Sequence, residues 1–403
     1  MLRDLFVIFD YKINKGLAVN NFNFYNPTQI IFGKDRLSEL VNYIPAEAKV
    51  LILYGGGSVE KNGTLQKVRL ALSNYQVSEF GGIEPNPRFE TLMKAVELIK
   101  KENIDFLLAV GGGSVMDGTK FISLAVKYNG NPEEILYHSF KPAELNEAMP
   151  LGTVATLPAT GSEMNAAGVI SYKESKYAVI CPLTFPKFSF LDPTITFTLP
   201  KTQVANGVID IFVHVMEQYL TFPVDAKFQD RTAEGILQTL IEIGRKTIDN
   251  PTDYDLRANL VWNSTMALNG LIGAGVPQDW TTHMLGHELT AFFGIDHAKT
   301  LAIILPSVLE VRKENKRAKL VQYAERVWKI ENGTDEVKAD KAILKTREFF
   351  EGLDVKTRLT DYNISPSDFD KIIRGLEEKH LTALSETRDI NLEISRQILE
   401  KAL

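Results

Sequence analysis

The chain has 403 residues, 44% hydrophobic and 24% charged, which suits two domains with real cores and excludes a single small module. Its 45 Lys and Arg stand against 51 Asp and Glu, a net charge of -6 without a basic stripe, so a nucleic-acid partner is excluded. The single cysteine, Cys181, leaves no internal disulfide framework and fits a reducing cytoplasm, and nothing approaches the roughly 20 apolar residues of a membrane span.

Residues 1–20 precede the first strand and read as an N-terminal extension. Their apolar run, Leu5 to Phe9, is shorter than a secretory signal requires, so a soluble, cytoplasmic chain is expected. From about residue 29 to 192, short apolar runs alternate with helical stretches. Residues 50–54 form a buried-strand pattern that ends in Gly55, Gly56, Gly57 and Ser58. Residues 91–101 carry Leu92, Val96 and Ile99 at helical spacing. Residues 106–110 form a second strand pattern, ending in Gly111, Gly112, Gly113 and Ser114. Strand, glycine turn, helix and strand is the grammar of an α/β domain with a parallel sheet. Weaker runs at 152–157, 168–172 and 188–191 add strands.

Both glycine turns bear on function. The turn at Gly111 follows a strand and opens a helix, where glycines admit close backbone approach and unpaired N–H groups favour an anion. That makes it a candidate for a dinucleotide diphosphate, with an ordinary strand-to-helix turn as the plain alternative. The turn at Gly55 lacks the carboxylate with which NAD-preferring sites often bind the adenosine ribose. Its glycines, Ser58 and nearby Lys61 leave room and donors for a 2′-phosphate, a lean toward NADP(H). Thr156 to Asn165 is a hydroxyl-rich loop after a strand, and Lys176 follows as a mobile cation; the plain alternative there is a polar loop.

After Leu199 and Pro200 the period changes. Residues 203–219, 228–248, 255–271 and 319–330 repeat apolar residues every three or four positions, so an all-helical second domain is expected beyond a boundary near residues 192–202. Four of the six histidines fall between residues 214 and 297 of that domain. Asp210 and His214 lie four apart on one helix face, as do His283 and His287, and His297 follows a turn that could fold it back. One carboxylate and several imidazoles suit a divalent metal such as Zn²⁺ or Fe²⁺. The plain alternative for Asp210 and His214 is a surface pair of about 0.3–0.5 kcal/mol. Five candidates exceed the usual three or four protein ligands, which leaves one, His287, to relay a proton. His138 and His380 have no neighbours of this kind and read as structural.

Gly111, Gly112, Gly113, Ser114 and Asp117 with Lys120, then Asp210 and His214, then His283, His287 and His297 resemble the pattern of iron-dependent (group III) alcohol dehydrogenases. The resemblance runs from about residue 21 to the C-terminus and is nearest to NADPH-dependent aldehyde reductases and butanol dehydrogenases. It implies a dinucleotide-binding α/β domain (21–195), an all-helical metal- and substrate-binding domain (196–403) and a homodimer. It implies Asp210, His214, His283 and His297 as metal ligands, and His287 as a residue near the nicotinamide. It assigns Gly111 to Ser114 and Asp117 to the diphosphate and ribose, and Thr156, Thr160, Asn165 and Lys176 to the rest of the cofactor path. Two positions depart from the common family signature: Gly286 stands where alanine is usual, and Asp296 and Ala298 flank His297 in place of proline and glycine.

The expected chemistry is reduction of short- and medium-chain aldehydes to primary alcohols with NADPH, the metal polarising the carbonyl. Two other classes share parts of the pattern: a metal-dependent hydrolase or lyase, and a protein that binds nucleotide and metal without catalysis.

Overall fold

A computed structural model describes residues 18–137 and 144–403, so most of the N-terminal extension and His138 lie outside the described residues. The chain divides into two compact units, one comprising Tyr25–Leu199 and Pro251–Thr265, the other Pro200–Asn250 and Met266–Leu403 with the described residues before Tyr25.

The first unit is built on six parallel strands: β1 (Gln29–Phe32), β2 (Lys49–Tyr54), β3 (Gln76–Phe80), β4 (Phe106–Gly111), β5 (Leu151–Ala155) and β8 (Phe188–Leu191). A separate antiparallel hairpin pairs β6 (Ala167–Tyr172) with β7 (Ser175–Ile180). The six lie in the order β1-β8-β5-β4-β2-β3. Every residue of β4 and β5 is buried, as parallel strands covered on both faces must be, which is why they read as unbroken apolar runs. Alternation divides the side chains of β2 and β4 between two cores. Leu51, Leu53, Leu107 and Ala109 pack on one face, Val50, Ile52, Phe106 and Leu108 on the other. Helices α1 (Ser58–Lys61), α2 (Thr64–Ala71), α3 (Phe89–Glu102), α4 (Gly113–Ala125) and α5 (Glu133–Leu136) complete this part.

The order has a functional consequence. The chain leaves β2 toward β3 on one side and then returns to place β4 on the other. Ligands of open α/β sheets bind beyond the carboxyl ends of the strands at such a reversal. The two glycine turns follow β2 and β4 directly, and the hydroxyl-rich loop follows β5, the next strand along.

The second unit is helical. Helix α6 (Lys201–Tyr219) is buried at every position from Gly207 to Tyr219, because its sequence is apolar on nearly all sides. Helix α7 (Lys227–Asp249) packs along it, and α8 (Tyr254–Ala267) belongs as far as Thr265 with the sheet unit. There follow α9 (Thr281–Phe293), α10 (His297–Val311), α11 (Arg317–Arg326), α12 (Asp335–Glu351), α13 (Phe369–Glu378) and α14 (Leu392–Lys401). Two sequence-expected helices end early: α8 stops before residue 271, and α11 stops before Lys329, whose φ of 58° is left-handed. His380 is also left-handed, at 58°, just beyond α13. Among the described residues, no helix is long and apolar enough to cross a membrane.

Candidate metal centre and dinucleotide turns

A helix buried on all sides has no solvent-facing stripe for polar residues, so Asp210, His214 and Glu217 of α6 must find partners inside. They sit at i, i+4 and i+7, one face of the helix. Helix α9 brings His283 to that face. It ends at Gly294, whose φ of 68° supplies the left-handed cap, and the chain re-enters a helix at His297, the first residue of α10. Gly286 permits the close approach of α10 to α9: a Cβ there would lie 2.7 Å from Thr300 Oγ1 and 3.2 Å from Leu301. The departure from the usual alanine therefore has a steric reason in this chain.

The result is a convergence on one oxygen. Asp210 Oδ1 lies 3.7 Å from His214 Nε2, 3.9 Å from His283 Nε2 and 3.7 Å from His297 Nε2. Donor atoms of Asp210, His283 and His297 all lie within 4.8 Å of one another. These separations exceed hydrogen-bond length, and Asp210 Oδ1 is buried without a hydrogen-bond partner. An orphaned buried acceptor costs about 1–3 kcal/mol. Two ligands each about 2.1 Å from a tetrahedral ion stand ~3.4 Å apart, so a small contraction would seat a divalent cation here. The residues present fit the metal. His287 stands beside this group, its ring centroid 5.1 Å from that of His297 and 6.1 Å from that of His283.

Behind the histidines lies a residue that the sequence reading did not single out. Glu217 Oε2 makes a short contact with His283 Nδ1, and Oε1 accepts the backbone N–H groups of Thr282 (2.7 Å) and His283 (3.2 Å). Burial, with Asp279 nearby, pushes the Glu217 carboxyl well above the usual range, while the N–H groups of His283 and Thr282 oppose that shift. The Asp279 N–H donates to the Glu217 carbonyl (2.8 Å), and the Asp279 side chain caps Thr281 N at 2.9 Å. Lys316, also buried, lies 2.9 Å from Asp279 Oδ2 and 3.1 Å from Glu386. Burial alone would raise the Asp279 carboxyl, but Lys316 holds it below its ordinary value. The signal for Glu217 was its spacing from Asp210 and His214, legible only to a reader expecting a third polar residue on that face.

In the sheet unit the turns have distinct geometries. Gly57 has φ 93° and caps α1 from the left-handed region, which a side chain would strain. A Cβ on Gly56 or Gly57 would meet nothing within 4 Å, so the turn is roomy. Ser58 and Lys61 are exposed, and Glu60, the nearest acid, pairs with Arg69 at 3.3 Å. The turn at Gly111 is tight instead. A Cβ on Gly113 would strike the Thr160 side chain at 2.6 Å, and Gly111 O accepts Thr156 N at 3.0 Å. Ser114 Oγ accepts the N–H of Asn86, and Gly112 caps the start of α4.

Asp117 and Asn165 are engaged by the protein itself. Asp117 Oδ1 accepts from Ser162 Oγ (2.7 Å) and Oδ2 from Val169 N (3.0 Å). Lys120, fully enclosed, donates to Ser162 Oγ, Asn165 Oδ1 and the Ala167 carbonyl at 2.8–2.9 Å. Burial pulls its ammonium down to about 8, against the attraction of Asp117 and Glu163. This cluster ties α4 to the loop 156–165. Thr156 is buried and Thr160 half-buried, its hydroxyl accepting Ser162 N at 3.2 Å. Lys176, expected as a mobile loop cation, stands on β7 opposite Ser171, and its charge bears on Asp117.

Comparison with known proteins accords with this geometry. The family described as iron-containing alcohol dehydrogenase matches residues 27–193, and the C-terminal region of the Fe-containing alcohol dehydrogenase family matches residues 204–403. The NADPH-dependent aldehyde reductase YqhD of Escherichia coli is 56% identical over 95% of this chain and 100% of its own. A probable NADH-dependent butanol dehydrogenase of Bacillus subtilis is 41% identical over 88% of this chain and 92% of its own. The crystal structure of E. coli YqhD superposes with a TM-score of 0.94 at 55% identity, covering 96% of this chain and all of the other. That of NADH-dependent butanol dehydrogenase A from Thermotoga maritima gives 0.91 at 32% identity, covering 96% and 99%.

Proposed function

Because the chain belongs to the iron-containing alcohol dehydrogenase family, we propose that it reduces short- and medium-chain aldehydes to primary alcohols with NADPH, reversibly. The observation that carries a redox reading over hydrolysis is the placement of three turns beyond the adjacent parallel strands β2, β4 and β5. When bound, a divalent ion supplies Lewis-acid polarisation of a carbonyl and the nicotinamide supplies the hydride.

The chain's own residues divide the remaining work. In this reading residues 21–195 carry the dinucleotide and residues 196–403 the metal and substrate. Asp210, His214, His283 and His297 would hold Fe²⁺ or Zn²⁺; this donor set suits either, and Zn²⁺ has the higher intrinsic affinity. The Gly111 to Ser114 turn and the first N–H groups of α4 would bind the diphosphate, with the Thr156 and Thr160 hydroxyls and Lys176 along the same path. Asp117 and Asn165, held by Ser162, Val169 N and Lys120, would act by fixing that loop. His287 would hold a proton on an imidazole nitrogen and pass it to the reduced oxygen of the substrate.

NADPH is preferred over NADH in this proposal because the turn after β2 presents Gly56, Ser58 and Lys61 without an available carboxylate. The relatives differ here, since one is described as NADPH-dependent and another as NADH-dependent. A homodimer and a cytoplasmic location belong to the same proposal. Exposed rings at Phe22, Phe24 and Tyr25 support the first, and the buried free thiol of Cys181 fits the second.

The test is direct. Purified protein loaded with Zn²⁺ or Fe²⁺ is expected to consume NADPH when given butanal, and to turn over faster than with NADH. A flat NADPH absorbance trace across a panel of short and medium aldehydes, with metal shown to be bound, would remove the proposed activity. Faster turnover with NADH would remove only the reading of Gly55 to Ser58.

A further inference from the structure

Glu217 is buried, belongs to no proposed ligand set, and spends both carboxylate oxygens on α9. One oxygen takes the two N–H groups at the start of that helix; the other meets His283 Nδ1. The opposite nitrogen of the same ring, Nε2, faces Asp210. We propose that Glu217 is a positioning residue for the metal centre: its carboxylate accepts the Nδ1 proton of His283, so that Nε2 carries the lone pair directed at the ion. A neutral imidazole has one protonated and one free nitrogen, and a fixed acceptor at one end decides which is which. Carboxylates placed behind a metal-binding histidine orient the ring and raise its basicity. The surrounding structure holds Glu217 in place, because the Asp279 N–H bonds to its backbone carbonyl while Lys316 anchors the Asp279 side chain.

Glutamine discriminates this role from helix capping. Its single oxygen can serve the Thr282 and His283 N–H groups, as Glu217 Oε1 does, and the cap survives. Its amide N–H₂ then faces Nδ1 and demands an acceptor there, which moves the ring proton to Nε2 and removes the lone pair from the metal side. Glu217→Asp keeps the charge but withdraws it by one carbon–carbon bond.

The experiment titrates the full-length wild type, Glu217→Gln and Glu217→Asp with Zn²⁺ against a chelator of known affinity, and records the visible absorption of each with Co²⁺. Zn²⁺ affinity is expected to fall about 10- to 100-fold in Glu217→Gln and less in Glu217→Asp, with shifted Co²⁺ bands, while the metal-free melting temperature of Glu217→Gln stays near that of wild type. Wild-type Zn²⁺ affinity and unshifted Co²⁺ bands in Glu217→Gln overturn the proposal, as does a Glu217→Asp that binds no better than Glu217→Gln. Should Glu217→Gln not fold, Glu217→Asp decides alone, and wild-type affinity with unshifted bands there overturns it. The inference rests on the metal reading of Asp210, His214, His283 and His297; a wild type that binds no Zn²⁺ would overturn that reading instead, so the two failures are distinct.

Discussion

His283→Ala is expected to abolish metal binding and aldehyde reduction together. The ring serves two neighbours, presenting Nε2 to Asp210 at 3.9 Å and Nδ1 to Glu217. Its removal takes one of four proposed ligands from the ion and leaves a buried carboxylate without its imidazole. Leaving a buried acceptor without its partner costs about 1–3 kcal/mol, so a lower melting temperature should accompany the lost activity. Elemental analysis of the purified variant and an NADPH-coupled assay with butanal check the two losses separately. A variant that retains one metal per chain would show that the ring is not a ligand.

His287→Ala should behave in the opposite way toward metal. His287 lies one helical turn beyond His283 on α9, and its ring approaches His297 and His283 at 5.1 and 6.1 Å between centroids. The imidazoles that converge on Asp210 Oδ1, at 3.7–3.9 Å, are those of His214, His283 and His297. Alanine is therefore expected to leave metal content at the wild-type level and to lower kcat by about 10²–10⁴-fold, the range of a positioned proton donor. The measurement is steady-state turnover of butanal with metal content determined on the same sample. Unchanged kcat would reduce His287 to a packing residue; loss of metal would move it into the ligand set.

The contrast between these two histidines shows what one chain of letters contains. Spacing of four residues placed His283 and His287 on one helix face, as it placed Asp210 and His214, because helical periodicity is a local property. The division of labour between them is a tertiary fact. It depends on α10 beginning at His297, three residues after the left-handed cap at Gly294, and on Gly286 letting that helix approach. Strand runs ending in glycine were legible for the same local reason: β2 and β4 are buried on both faces and carry no competing periodicity.

Glu217 and Lys120 were less legible. Each is a charged residue in a mostly apolar helix that carries another acid, Asp210 beside Glu217 and Asp117 beside Lys120, a pattern equally suited to a solvated face. Their partners lie 66 residues away for Glu217 with His283, and 42 and 45 away for Lys120 with Ser162 and Asn165. Nothing local announces such pairs. The segment Pro251–Thr265 is similar: its helical period is plain, but its grouping with the sheet unit is decided by long-range packing.

X-ray absorption at the metal K-edge of the purified wild type tests the central claim most directly. One ion per chain, with three imidazole nitrogens and a carboxylate oxygen at about 2.0–2.2 Å and no sulfur neighbour, is the expected result. A sulfur neighbour, or a first shell of water oxygens without imidazole scattering, would contradict it.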